Sequence, residues 1–128
     1  MPKTKPKILI VEDDISILDL YEYKFKTSGF DCLRATNGVQ ALSLTFNEKP
    51  DVILLDIMLP KLDGLNVLKE LRLSPGEVGK TPVVVLTSLT DKLFADEAMR
   101  LGANEYLVKS NILPRQVVEK VKEILKKD

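Results

Sequence analysis

The chain reads as an α/β protein built on a parallel sheet covered on both faces. Two observations predict this. Lys7-Ile-Leu-Ile-Val11, Asp51-Val-Ile-Leu-Leu-Asp56 and Pro82-Val-Val-Val-Leu86 are short, β-branched, nearly continuous apolar runs bounded by turn signals, the pattern of strands buried on both faces. Between them lie segments with apolar residues at helical spacing, so that five strands alternate with five helices.

Strand 1 is Lys7-Ile-Leu-Ile-Val11, after a basic, proline-containing lead-in over residues 1–6. It stops at three acids in a row, Glu12-Asp13-Asp14. Helix 1 follows over residues 15–28, with Ile17, Leu18, Tyr21 and Phe25 on one face and Gly29 as its stop. Residues 30–35 form a shorter strand, which Asp31 and Arg34 place at a sheet edge. Asn37-Gly38 opens helix 2, whose Val39, Ala41, Leu42 and Phe46 are expected to face inward, and Lys49-Pro50 ends it.

Strand 3 spans residues 51–56, and Pro60 and Gly64 shape the loop after it. Helix 3 covers residues 65–73, with Leu65, Leu68 and Leu71 or Leu73 inward; residues 74–81, holding Pro75, Gly76 and Gly79, read as loop. Strand 4 covers residues 82–86 and ends at Thr87-Ser88. Helix 4, residues 90–101, has the weakest apolar periodicity and is expected to be the least firmly packed. Strand 5 is Glu105–Val108, with Lys109 at its end. Pro114 suits a helix start, and Val117, Val118, Val121, Ile124 and Leu125 make the inward stripe of helix 5. Right-handed crossovers leave few topologies for such a chain, and the flavodoxin-like order 2-1-3-4-5 is the usual one.

At 128 residues, one domain with a real core is expected. The 45% apolar and 30% charged fractions are ordinary for a globular protein. The 19 basic residues balance the 19 acidic ones, so net charge gives no argument for nucleic-acid or membrane binding. No run reaches membrane-spanning length, and the one cysteine, Cys32, has no internal partner, which implies a reduced, cytoplasmic setting. Having no histidine and one cysteine, the chain itself cannot supply a catalytic histidine or a thiolate-rich zinc site.

In order 2-1-3-4-5 strand 1 lies beside strand 3, and ligands of such sheets bind beyond the C-terminal strand ends. Glu12 and Asp13 would then sit next to Asp56. Carboxylates so placed repel one another and raise one another's pKa, and a hard divalent cation such as Mg²⁺ resolves the conflict. Thr87 adds a hydroxyl at the end of strand 4 and Lys109 an ammonium at the end of strand 5. A carboxylate nucleophile, a metal position, a hydroxyl and a cation together suit phosphoryl transfer to Asp56. Each has an ordinary reading when taken alone. Asp56 could be a loop carboxylate, Thr87 a strand-end hydroxyl, Lys109 a solvated lysine and Tyr106 simple packing. The acids after strand 1 could cap helix 1, a role assigned here to Asp14. The four coincidences at four specified strand ends shift the balance.

These motifs resemble the receiver domain of two-component response regulators, the CheY-like family. The resemblance rests on Ile10-Val11-Glu12-Asp13-Asp14, Leu55-Asp56-Ile57-Met58-Leu59-Pro60 with Asp63-Gly64, Leu86-Thr87-Ser88, and Gly102-Ala103-Asn104-Glu105-Tyr106-Leu107-Val108-Lys109. It covers about residues 7–125 of a single domain over 1–128. It implies Asp56 as phospho-acceptor, with Asp13 and Asp56 binding Mg²⁺ directly, Glu12 through water and Met58 through its backbone carbonyl. It also implies that Thr87 and Lys109 hold phosphoryl oxygens and that Tyr106 is an aromatic switch turning inward as Thr87 moves.

The implied partners are a histidine kinase or phosphotransfer protein and a downstream effector or output domain. A phosphorylation-dependent homodimer through helix 4 to helix 5 is also implied, with no direct nucleic-acid contact by this domain. The final Glu123-Ile-Leu-Lys-Lys-Asp128 resembles a frayed helix end and slightly favours a stand-alone protein.

One departure stands out. The family usually places proline and then an aromatic after the lysine, often with a cis bond, whereas this chain has Lys109-Ser110-Asn111. A cis bond before serine costs about 3–4 kcal/mol, which leaves the placement of Lys109 open at this point.

Three other functions compete. A degenerate receiver acting as an unphosphorylated scaffold is opposed by the intact set Asp13, Asp56, Thr87 and Lys109. A haloacid-dehalogenase-type phosphatase needs a second aspartate two residues after the nucleophile, where Met58 stands. A flavodoxin needs a phosphate-binding loop after strand 1, where this chain has acids.

Overall fold

The strands arise where the apolar runs predict them: β1 Lys7–Val11, β2 Asp31–Ala35, β3 Val52–Leu55, β4 Val83–Thr87 and β5 Glu105–Val108. They form one parallel sheet in the order β2-β1-β3-β4-β5, as expected. The computed structural model describes residues 5–126, so residues 1–4 of the lead-in and 127–128 of the tail lie outside the described residues.

Alternation along the strands divides the core in two. Ile8, Ile10, Val52, Leu54, Val84, Leu86 and Leu107 face α1 (Ile15–Thr27) and α5 (Pro114–Lys126), meeting Leu18, Tyr21, Phe25, Val117, Val118 and Val121. Leu9, Val11, Ile53, Leu55, Val83 and Val85 face α2 (Gly38–Glu48), α3 (Gly64–Arg72) and α4 (Lys92–Arg100). Four helices begin on the carboxylate or amide of a capping side chain, which accepts from amides that the helix leaves orphaned. Asp14 takes Ser16 N at 3.0 Å, Asn37 takes Gln40 N at 2.8 Å, Asp63 takes Asn66 N at 3.0 Å and Asp91 takes Leu93 N at 2.9 Å.

Three expectations need correction. In α2 the inward stripe is Gly38, Ala41 and Thr45; Val39 and Phe46 face outward, 57% and 43% exposed. At its N-terminal end the helix runs close to Leu62, where only glycine fits: a Cβ on Gly38 would lie 1.8 Å from the Leu62 carbonyl oxygen. In α3 the buried side chains are Val67, Leu68 and Leu71, Leu65 is half-buried and Leu73 is exposed beyond the helix end. Within the expected loop 74–81, Glu77–Lys80 winds into a 3-10 turn. The weak periodicity of helix 4 is reflected in packing, since Ala98 is its sole buried residue.

The far ends of α3, β4 and β5 are joined by one side chain. The half-buried Arg72 guanidinium donates to Gly79 O (3.1 Å), Thr81 O (2.7 Å), Gly102 O (2.9 Å) and Asn104 Oδ1 (3.2 Å). Burial holds its pKa below the ordinary value, and all these acceptors are uncharged. Removing the fork orphans three partly buried carbonyls at once. Arg72→Ala is expected to cost about 2–3 kcal/mol in denaturant unfolding, with Arg72→Lys recovering only part because an ammonium cannot span the fork.

Candidate functional site

The site is set by register. Val11 pairs with Leu55, so the next residues, Glu12 and Asp56, leave the sheet side by side. The main chain keeps them there: Glu12 N donates to Ala35 O at 3.0 Å and Asp56 N to Val11 O at 3.1 Å. Asp13, one residue on, is exposed, whereas Glu12 and Asp56 are 5% and 4% exposed. One carboxylate oxygen from each of Glu12, Asp13 and Asp56 can be chosen so that all three lie within 4.8 Å of one another.

Thr87 pairs with Val108 across β4 and β5, which brings Lys109 to the same rim. Its ammonium donates to Glu12 Oε1 and, at 3.0 Å, to Asp56 Oδ2. The described residues contain no cis peptide bond, so Lys109–Ser110 is trans, and residues Lys109–Asn111 form a 3-10 turn. A trans bond therefore suffices to deliver the lysine to the acids. Burial alone would lower the Lys109 pKa, but its bonds to Glu12 and Asp56 outweigh it and hold the group above its ordinary value. Burial acts most strongly on Glu12 and the Asp56 charge adds to it. The hydrogen bonds from Lys109 and Asp14 offset them only in part, so Glu12 lies above the usual carboxylate value.

The second oxygens of both acids are also held. Glu12 Oε2 accepts from Asp14 N at 3.2 Å and Asp56 Oδ1 from Met58 N at 3.1 Å. The loop that carries Met58 is pressed into place by a missing side chain: a Cβ on Gly64 would lie 2.2 Å from the Asp56 carbonyl oxygen. The Met58 side chain is exposed.

Similarity to known proteins identifies the family. The model of the response regulator receiver domain matches residues 8–122. The chain belongs to that family. The receiver domain is 40% identical over 121 residues to the alkaline phosphatase synthesis transcriptional regulatory protein PhoP of Bacillus subtilis, covering 94% of this chain and 49% of that protein. It superposes on the receiver domain of a Francisella response regulator with a TM-score of 0.88 and 32% identity, covering 96% of this chain and 98% of that one. The BeF3-activated N-terminal receiver domain of Klebsiella pneumoniae RstA gives 0.83 and 32%, covering 93% and 97%. The chain spans about half the length of the curated relatives it matches. Receiver domains of this family are signalling switches of two-component systems, and no helix among the described residues is long and apolar enough to cross a membrane.

The receiver domain thus gathers four of the residues picked out by sequence, Glu12, Asp13, Asp56 and Lys109. Thr87 and Tyr106 are linked to each other through Leu89. The fully buried Thr87 accepts at Oγ1 from Leu89 N at 3.4 Å, and the Tyr106 hydroxyl donates to Leu89 O at 3.0 Å. Burial, then the charges of Asp56 and Asp91, raise the Tyr106 pKa, and its ring packs against the α2–α4 side of the core. Leu89, whose main chain joins the two, was not singled out in the sequence. Its contribution is a peptide unit, which carries no side-chain signal.

Proposed function

We propose that residues 1–128 form a single receiver domain that accepts a phosphoryl group on Asp56 from the phosphohistidine of a partner histidine kinase or phosphotransfer protein. An Asp56 carboxylate oxygen attacks phosphorus, the phosphorus–nitrogen bond breaks, and its electron pair leaves with the imidazole nitrogen, which takes up a proton. The observation that carries this reading is the buried Asp56 carboxylate beside Asp13 and Glu12 with Lys109 already bonded to it.

The donor set fits Mg²⁺, which takes hard oxygen ligands, uses one or two carboxylates and keeps several waters. Asp13 and Asp56 would hold it directly and Met58 through its carbonyl oxygen. Glu12, which lies in the same acidic cluster, would act through water. When bound, the ion supplies charge neutralisation for the acids and the incoming phosphoryl oxygens. Lys109 holds a phosphoryl oxygen from one side, and Thr87, by letting go of Leu89, holds another. The Leu89 peptide then moves, and Tyr106 with it. That shift biases the α4–β5–α5 surface between two partner preferences, for an effector or output domain or for a second copy, and needs only a few kcal/mol. The reading includes a cytoplasmic location, no direct nucleic-acid contact by this domain and no enzymatic activity beyond gaining and losing phosphate at Asp56.

The test is Mg²⁺-dependent incorporation of phosphate from acetyl phosphate, read by intact mass. Asp13→Ala is expected to weaken Mg²⁺ binding at least tenfold in a titration, because it removes a charged direct ligand; unchanged affinity would place the metal elsewhere.

A further inference from the structure

Behind the acids, on the α1–α5 side of the sheet, lies a cavity of about 10 Å³, lined by Glu12, Asp56, Tyr21 and the apolar side chains of Ile10, Leu54 and Leu86. Such a volume is the least that admits one water, and a water held inside a protein needs two to four polar partners. Glu12 and Asp56 supply two. Tyr21 supplies the third: it is 6% exposed, sits in the core cluster of α1 and has no hydrogen-bond partner among the described residues for its hydroxyl. The shared cavity wall sets that phenol near Glu12 and Asp56, the two acids that Lys109 bonds.

We propose that this cavity binds one ordered water joining the Tyr21 hydroxyl to the Glu12 and Asp56 carboxylates, and that Tyr21 is thereby a positioning residue for the Lys109–Glu12–Asp56 cluster. This rests on the phosphoryl-transfer reading given above. No fully buried side-chain polar atom among the described residues lacks a partner, so the unbonded Tyr21 hydroxyl touches water-accessible space, and the cavity water supplies its partner. The water donates to the carboxylates and so fixes their orientation from below while Lys109 bonds them from the rim. Without the hydroxyl the two acids face an apolar wall, the water loses its third anchor, and Lys109 becomes the main group left to neutralise them. It is then less free to move onto an incoming phosphoryl oxygen.

Tyr21→Phe keeps the ring and its packing and removes only the hydroxyl. A crystal structure of the wild-type chain is expected to show a water within hydrogen-bond distance of Tyr21 Oη and of a Glu12 or Asp56 oxygen, absent or displaced in the variant. With acetyl phosphate and Mg²⁺, the saturating phosphorylation rate of Tyr21→Phe is expected to fall about three- to tenfold, the loss of one hydrogen bond's worth of positioning, with KM for the donor unchanged. A dry cavity in the wild-type crystal overturns the proposal, whatever the phosphorylation result. A wet cavity with equal saturating rates overturns the positioning role and leaves Asp56 as acceptor. Failure of the wild-type chain to take up phosphate at all sinks the phosphoryl-transfer reading instead, and the positioning role with it.

Discussion

Asp56→Asn is expected to take up no phosphate from acetyl phosphate and Mg²⁺ above the background of the assay. The substitution changes almost nothing in shape. An amide oxygen can still accept from Met58 N, which now reaches Asp56 Oδ1 at 3.1 Å. What disappears is the anionic nucleophile and one of the charges that would hold the metal. Unfolding cannot be the cause of the loss, because Lys109 keeps its bond to Glu12 and so no buried cation is orphaned. Removing Asp56's charge also relieves its repulsion of Glu12, whose pKa it helps to raise. Urea unfolding should therefore place the variant within about 1 kcal/mol of the parent. The exposed Asp13 is the nearest rival acceptor. Persistent incorporation in Asp56→Asn would transfer the role to it or to another carboxylate.

Why some of this was legible in the sequence and some was not follows from the range of the forces involved. The strands announced themselves because a parallel sheet covered on both faces needs unbroken apolar runs, and Ile8–Ile10, Ile53–Leu55 and Val83–Leu86 have no polar alternation. Glu12, Asp13, Asp56, Thr87 and Lys109 could be named because strand ends in this topology converge, and the chemistry rests on side chains. In α2 apolarity and burial part company, because distance to a neighbour decides the inner face. Val39 and Phe46 are the more hydrophobic residues, but the close approach of Gly38 to Leu62 turns the Gly38 face inward, and Gly38, Ala41 and Thr45 take the inner face. Two features left no local trace. Arg72 bonds to carbonyls 7 to 30 residues away, none of them acidic, so charge pairing could not flag it. The Leu89 peptide links Thr87 to Tyr106 through main-chain atoms that every residue has. The substitution of Ser110 for the family's proline looked like a threat to Lys109, yet the 3-10 turn at Lys109–Asn111 delivers the ammonium without a cis bond.

Lys109→Met tests the same cluster from its positive side. Methionine has a similar reach and packs as an apolar stem, so the variant removes the charge while leaving little cavity. Glu12 and Asp56 are then left adjacent, buried and without a cation, the situation in which breaking a buried pair costs most. In EDTA at pH 7 the variant is expected to be about 3 kcal/mol less stable than the parent in urea unfolding. The pH dependence carries the sign. Glu12 already lies above its ordinary value of 4.5, first through burial and also through the charge of Asp56, while the hydrogen bond and charge of Lys109 act against both. Methionine removes that opposition and drives Glu12 higher. A carboxyl with a raised folded pKa takes up its proton more readily folded than unfolded. The stability it contributes is complete below 4.5 and is lost as pH rises through the folded value. The deficit of Lys109→Met relative to the parent should therefore shrink steadily as pH is lowered from 7 toward 4.5. Saturating Mg²⁺ should also narrow it at pH 7, because a bound cation replaces the missing charge. Phosphorylation by acetyl phosphate should still fall about a hundredfold, since the metal cannot stand where the ammonium met the phosphoryl oxygen. A deficit that neither acid nor Mg²⁺ reduces would mean that Lys109 is simply packed there, and that the two acids do not depend on its charge.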